Sequence, residues 1–410
     1  MPSSKISQLR VIAFTLFALT ALVAAPTQAQ TFTVLHQFGG ANDGSAPEGL
    51  VAVDHAGNVY GSTPDGGVRS GPCAPLSGCG MAFRSQNHDG VFVYAPLYLF
   101  HGSDGANPFG GVTLGPDGAL YGTTSVGGNT SCGNTGCGVV FRMTPPPTFC
   151  RQVFCDWDET VIYSNPGGDG PSLFYAGVVF DAAGNIYGAS YIGGQFGNGA
   201  VYELSPSGGG NYTETNLYSF TGGSDGALSM TGVARDAAGD IYGATTQGGA
   251  YRYGTVFKLV HEANGYTFQL LYTFTGGSDG GSPNGNVVLD AAGNLYGATS
   301  LGGGIFQITP SGTFTVIDTQ AGFMTAPLTI DALGNIYGTT YGGGSHDDGS
   351  VFELSNTNGT WTHNVLYSFT GQNDGALPIS GVGMDASGNL YGTSTYSGTY
   401  GQGTLWQLTH

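Results

Sequence analysis

Short apolar runs separated by turn-forming residues recur along the whole chain. Residues 177–180 read Gly-Val-Val-Phe and 185–190 read Asn-Ile-Tyr-Gly-Ala-Ser, while 199–204 read Gly-Ala-Val-Tyr-Glu-Leu and 217–220 read Leu-Tyr-Ser-Phe. Runs of four to eight apolar and β-branched residues bounded by Gly, Asn, Asp and Ser predict strands. A helical period of 3.6 appears nowhere after the first 29 residues, so the pattern predicts an all-β protein. We label the four strands of this unit A to D, in chain order.

The unit is written seven times. One octet, opening on Asp and closing on Tyr-Gly, occupies 54–61, 115–122, 181–188, 236–243, 290–297, 331–338 and 385–392, with Gly115 replacing the first Asp in the second copy. From Tyr60 to Tyr391 the mean spacing is about 55 residues, a period that belongs to propeller blades. The chain after the leader opens on a D-type strand, 31–38, and closes on a C-type strand, 403–409. The N-terminal strand therefore supplies the missing seventh D strand and completes the last blade. The predicted fold is a seven-bladed β-propeller of four-stranded blades, closed so that two sheet edges disappear.

Composition then acquires a meaning. The chain holds 75 glycines in 410 residues and only 9% charged residues. Many of the glycines fall in the turn after each octet's Asp, directly after each octet's Tyr, or in loops. The Asp reads as a turn cap and Tyr-Gly as packing between blades, large beside small.

Residues 1–29 predict a secretory signal peptide, with Lys5 and Arg10 before an apolar run from Val11 to Ala25 and a cut near Ala29. Residues 30–410 are then one propeller domain in a periplasmic or extracellular compartment, and no later run is long enough to span a bilayer. Losing Lys5 and Arg10 moves the net charge from −18 to −20. Such a surface excludes nucleic acid and anionic membranes as main partners, since both need a basic face. Six cysteines form three close pairs, Cys73/Cys79, Cys132/Cys137 and Cys150/Cys155. Six allow fifteen connectivities, but export and spacing favour these local disulfides over a metal site.

Alternation of strands puts the D-to-A and B-to-C loops on one face. The D-to-A loops carry Asp43, Asp104, Asp169, Asp225, Asp279 and Asp374, each before Gly, and read first as ordinary Asp-Gly turns, with an acidic ring near the central opening as the alternative. No cofactor or metal ligand set is predicted, and a divalent cation is the one ion such a ring could attract. The B-to-C loops present Phe196, Tyr191, Tyr251, Arg252, Tyr253, Tyr341, Tyr396 and Tyr400, suited to a glycan or a protein partner. Histidines share no spacing and no nucleophile or phosphate-loop motif occurs, so no catalytic residue is predicted.

The composite unit joins a Leu-Tyr-Ser-Phe strand, a Gly-Gly-Ser-Asp-Gly loop, Asp-x-x-Gly-Asn-Leu-Tyr-Gly and Gly-Thr-Val-Phe. It resembles the GloVer tandem-repeat family of exported bacterial proteins over essentially all of residues 30–410. The resemblance implies export and brings no catalytic residues. Family members often end in a sorting or anchoring segment, and none is expected past His410. The expected function is that of an exported, monomeric, non-catalytic binding or scaffold propeller with its ligand on the Asp-Gly and aromatic loop face. Alternatives are a carbohydrate-active hydrolase or lyase with acids at the channel mouth, or a purely structural envelope protein.

Overall fold

A computed structural model describes residues 30–132, 135–145, 157–165, 170, 174–320 and 326–409. Seven four-stranded antiparallel sheets are arranged as blades. Blade 1 runs through Ala52–Val53, Val59–Thr63, Met81–His88 and Val91–Leu99 as strands A to D. Five further blades repeat this meander. The seventh takes Gly383–Met384, Leu390–Ser394 and Thr404–Thr409 from the end of the chain and adds Thr31–Gln37 from its beginning. Thr31 pairs with Thr409 and Gln37 with Thr404, so the ring closes as the phase of the repeat predicted.

Six of the seven A-to-B hairpins are capped by the first-position Asp of the octet. In blade 1 the Asp54 carboxylate accepts from the Ala56 and Asn58 amides, both at 2.9 Å, and from the Asn58 side chain at 2.8 Å. The Tyr60 hydroxyl donates to the same carboxylate at 3.1 Å. Burial and then the adjacent Asp54 push the Tyr60 hydroxyl up to about 12, which keeps it a donor. In blade 2, where Gly115 stands first, Asp117 two residues later accepts from the Ala119 amide and the Tyr121 hydroxyl instead. The octet thus tolerates movement of its acid by two positions, because only the hydrogen-bond acceptor is required.

The Tyr-Gly pair serves two contacts rather than one. The tyrosine ring reaches the next blade, as Tyr60 does in the cluster with Leu120, Phe141 and Trp157. The glycine, however, makes room within its own blade. A Cβ at Gly61 would lie 2.5 Å from the Phe83 ring, and Gly297 meets Phe306 in the same way. Gly61 and Phe83 are direct cross-strand partners. The expectation that glycine accommodates a neighbouring blade is corrected accordingly: the bulky partner sits on strand C of the same sheet.

Among the described residues the apolar core divides into seven clusters, one at each seam between adjacent blades. Every sheet is therefore covered on both sides, which explains the low charge. Cys73–Cys79 and Cys132–Cys137 are bonded, and the first pair is fully buried in the seam between blades 1 and 2. Cys150, Cys155 and the leader lie outside the described residues.

Candidate functional site

The innermost strand of each blade is A, and the six residues before each octet set the geometry of the channel. Small residues crowd its wall. A Cβ on Gly49 would overlap the backbone of Gly111 in the next blade, and one on Gly285 would overlap Ala326. Immediately before these small residues lies a position, six before the hairpin acid, whose side chains differ in every described blade: Glu48, Phe109, Tyr175, Met230, Asn284 and Ile379. All six line one cavity of about 300 Å³ at the loop-face mouth of the channel. Leu50, Pro327 and Tyr341 complete much of its wall.

One side of the mouth is aromatic. Phe109 and Tyr175 lie 5.7 Å apart between ring centroids, and Tyr175 meets Tyr191 edge to face at 5.4 Å. Another side is acidic. Glu48 is only partly exposed and has no hydrogen bond or ion pair with any described residue. Burial, then the charge of Asp65, pushes its carboxyl up to about 7. Asp65 is raised too, by its own burial, with Arg69 opposing. Tyr396 is raised by burial and then by Glu48, Tyr341 and Asp65, so these four groups share one electrostatic neighbourhood. Among the described residues lining the cavity there is no lysine or arginine.

The repeat architecture can be set beside known proteins. The Gloeobacter/Verrucomicrobia repeat matches residues 15–169 and 131–327, more than half the chain. The protein belongs to this repeat family. No curated protein matches it. Among solved structures, virginiamycin B lyase from Staphylococcus aureus is similar at 12% identity and a TM-score of 0.57, over 93% of this chain and 99% of that one. The BT4673 extracellular domain from B. thetaiotaomicron is similar at 14% identity and a TM-score of 0.55, over 93% of this chain and 41% of that one. At such identities the likeness shows the propeller fold alone.

Within this Gloeobacter/Verrucomicrobia repeat protein, the described D-to-A aspartates lie away from the central opening where a ring would place them. Asp43, Asp104, Asp225, Asp279 and Asp374 sit at the ends of the outer D strands, and none lines the central cavity. Each carboxylate turns into its own loop. Asp225 accepts from the Tyr218 hydroxyl at 3.0 Å and the Thr221 amide at 2.8 Å, and Asp374 accepts from Tyr367 and Thr370 at 2.8 Å each. Asp279 repeats this with Tyr272 and Thr275. Asp104 accepts from Tyr98 at 2.6 Å and from the His101 amide at 2.7 Å. Asp43 accepts from the Gly39 amide and pairs with His36 at 3.0 Å. Burial works against ionisation of Asp279 and Asp374, but their hydrogen bonds outweigh it and hold both below the ordinary carboxylate range. Asp169 lies outside the described residues. Among the described residues no group of three or more His, Cys, Asp or Glu is placed to hold a metal ion.

Of the aromatic candidates, Tyr341 lines the cavity, Tyr191 backs its aromatic wall and Tyr396 stands beside Glu48. Tyr251, Arg252, Tyr253, Tyr400 and Phe196 do not line it. Tyr253 lies against Gly276 and Gly281 of the next blade's loop, while Tyr251 and Tyr400 are exposed. Glu48, Asp65, Phe109 and Tyr175 escaped the sequence reading. Their signal was available: position minus six is where seven otherwise parallel copies use unrelated side chains.

Proposed function

We propose that this protein is an exported binding module whose ligand occupies the loop-face mouth of the central channel. The observation that carries the reading is the cavity itself: blade after blade contributes a non-repeating side chain to it, and one of these is an acid with no hydrogen-bond or ion-pair partner among the described residues. Residues that hold the fold repeat, whereas residues that face a ligand have no reason to. Its size suits a small molecule or the end of a larger one. The Phe109, Tyr175 and Tyr191 rings suit the flat apolar face of a terminal sugar or a side chain offered by a protein partner. Two formed disulfides support an oxidising compartment.

A glycan array probed with the wild type, Phe109→Ala and Tyr175→Ala tests this placement. Loss of signal in both variants is expected, while a Tyr251→Ala/Tyr253→Ala double variant keeps it. The opposite pattern would move the site out to the rim.

A second reading, a carbohydrate-active hydrolase or lyase, is favoured by one observation. Glu48 titrates at about 7, where a carboxyl is suited both to give and to take a proton. Product analysis on a polysaccharide panel separates the two readings: cleavage abolished by Glu48→Gln supports catalysis, and its absence in the wild type supports binding alone. The cavity speaks for either of these over a purely structural envelope role.

A further inference from the structure

We infer that the ligand of the loop-face mouth carries a protonated amine on a flat, apolar body, with the Glu48 carboxylate as the counter-ion of that amine. The inference rests on the proposal that this mouth is the ligand site, and adds the chemistry of what enters it.

Three observations converge. First, Glu48 borders a cavity otherwise walled largely by apolar groups and receives no hydrogen bond or cation from any described residue. A carboxylate taken from water without a partner is costly, and a partner arriving with the ligand offsets that cost. Second, the groups facing Glu48 reinforce the demand for a cation. Asp65 adds a second acid, Tyr341 and Tyr396 add hydroxyls, and the nearest basic group in this network, Arg69, acts on Asp65. An anionic ligand would meet Glu48, under the added charge of Asp65, and no lining lysine or arginine. Third, the rings of Phe109, Tyr175 and Tyr341 border the same space, and aromatic faces attract ammonium groups as well as flat bodies. The protein's net charge of −18 draws cations toward the mouth from a distance.

A cavity of about 300 Å³ admits one ring with a short substituent. The same chemistry has two sources, a terminal amino sugar or an aromatic amine. The test therefore uses two matched pairs, glucosamine against glucose and phenethylamine against 2-phenylethanol, titrated by calorimetry or ligand-observed NMR at pH 7.5 and pH 5. At pH 7.5 at least one amine is expected to bind about tenfold or more tightly than its neutral partner, the usual worth of a charge-assisted contact. The pair that shows the advantage identifies the body. At pH 5, where Glu48 holds its proton, the advantage shrinks.

Glu48→Gln, of the same shape, is expected to abolish the advantage at both pH values while leaving the weak binding of the neutral partner. Asp65→Asn is expected to keep the advantage but bring it in at somewhat lower pH, because the Asp65 charge adds to burial in hindering ionisation of Glu48. Thermal melts of both variants at pH 5 confirm that they are folded. Equal binding of amine and neutral partner, or an amine advantage surviving in Glu48→Gln, overturns the inference while leaving the mouth as a ligand site. If no probe binds and a glycan array gives no signal sensitive to Phe109→Ala, the underlying reading falls with it.

Discussion

The two mouths of the central channel use acids in opposite ways. At the hairpin face a wide basin of about 1440 Å³ is bordered by Asp54, Asp331 and Asp385, and Leu50 borders both this basin and the loop-face cavity. Every one of those aspartates is occupied. Asp385, for example, accepts from the Ser387 and Asn389 amides, the Asn389 side chain and the Tyr391 hydroxyl, at 2.9 to 3.0 Å. At the loop face Glu48 receives nothing from the described protein and its carboxyl is raised instead. An acid that repeats is part of the hairpin, and an acid that appears once is available for something else. The lesson extends to the outer strands, where the Asp-Gly aspartates also repeat and are also consumed by their own loops.

The contrast can be broken at its strongest point. Asp385→Ala removes four hydrogen bonds and leaves the Tyr391 hydroxyl, in a side chain 1% exposed, without its acceptor. A loss of about 3 kcal/mol is expected from the denaturant midpoint. A loss below about 1 kcal/mol would mean that the hairpin acids are as dispensable as any surface carboxylate.

Glu48 is predicted to behave in the reverse sense. Its folded pKa of about 7 lies above the unfolded value of 4.5, so the native state binds the proton more tightly. The contribution of this residue to stability is greatest below pH 4.5, falls as pH rises through that window, and is gone above about 7. Glu48→Gln is therefore expected to match the wild type at pH 4 and to exceed it by roughly 2 kcal/mol at pH 8. Urea titrations of both proteins at the two pH values measure this, and a variant less stable than wild type at pH 8 would show that the carboxylate has a protein partner after all.

A smaller effect is expected at the outer seams. Along strand D, a ring in one blade stacks on a residue four positions earlier in the next, as Tyr272 does on Phe314 and Tyr367 on Phe32, at 3.7 Å in each case. Glu214 holds the equivalent position under Tyr163, and both its Oε1 and the Tyr163 hydroxyl are buried without hydrogen bonds. Burial raises the Glu214 carboxyl. Glu214→Phe is expected to restore the stack and stabilise the fold by about 1 kcal/mol, read from thermal melts. Least affected of all is Tyr251→Ala, on a residue 59% exposed, for which a stability change within about 0.5 kcal/mol is expected.

Most of the fold was legible because its determinants are local and written seven times. The Asp-to-Tyr octet announced the hairpin, the phase of strands 31–38 and 403–409 announced the closure, and the short spacing of Cys73 and Cys79 announced their bond. The departures were equally local in origin. The Asp-Gly aspartates read as turns but left a ring at the axis open, because a loop between an outer and an inner strand can place its acid at either end. Hydrogen bonds to Tyr218, Tyr272 and Tyr367 hold them at the outer end.

What the sequence determined by itself was thus the architecture: seven hairpins, their caps, the order of strands and the stitched last blade, all set by contacts within one unit or between neighbours. What only the tertiary structure decided was the site. Glu48, Phe109 and Tyr175 lie in three different repeats, and no repeated motif marks them. They become one cavity wall because ring closure brings the innermost positions of all blades together around a single axis, and because Gly49 and Gly285 let those backbones approach.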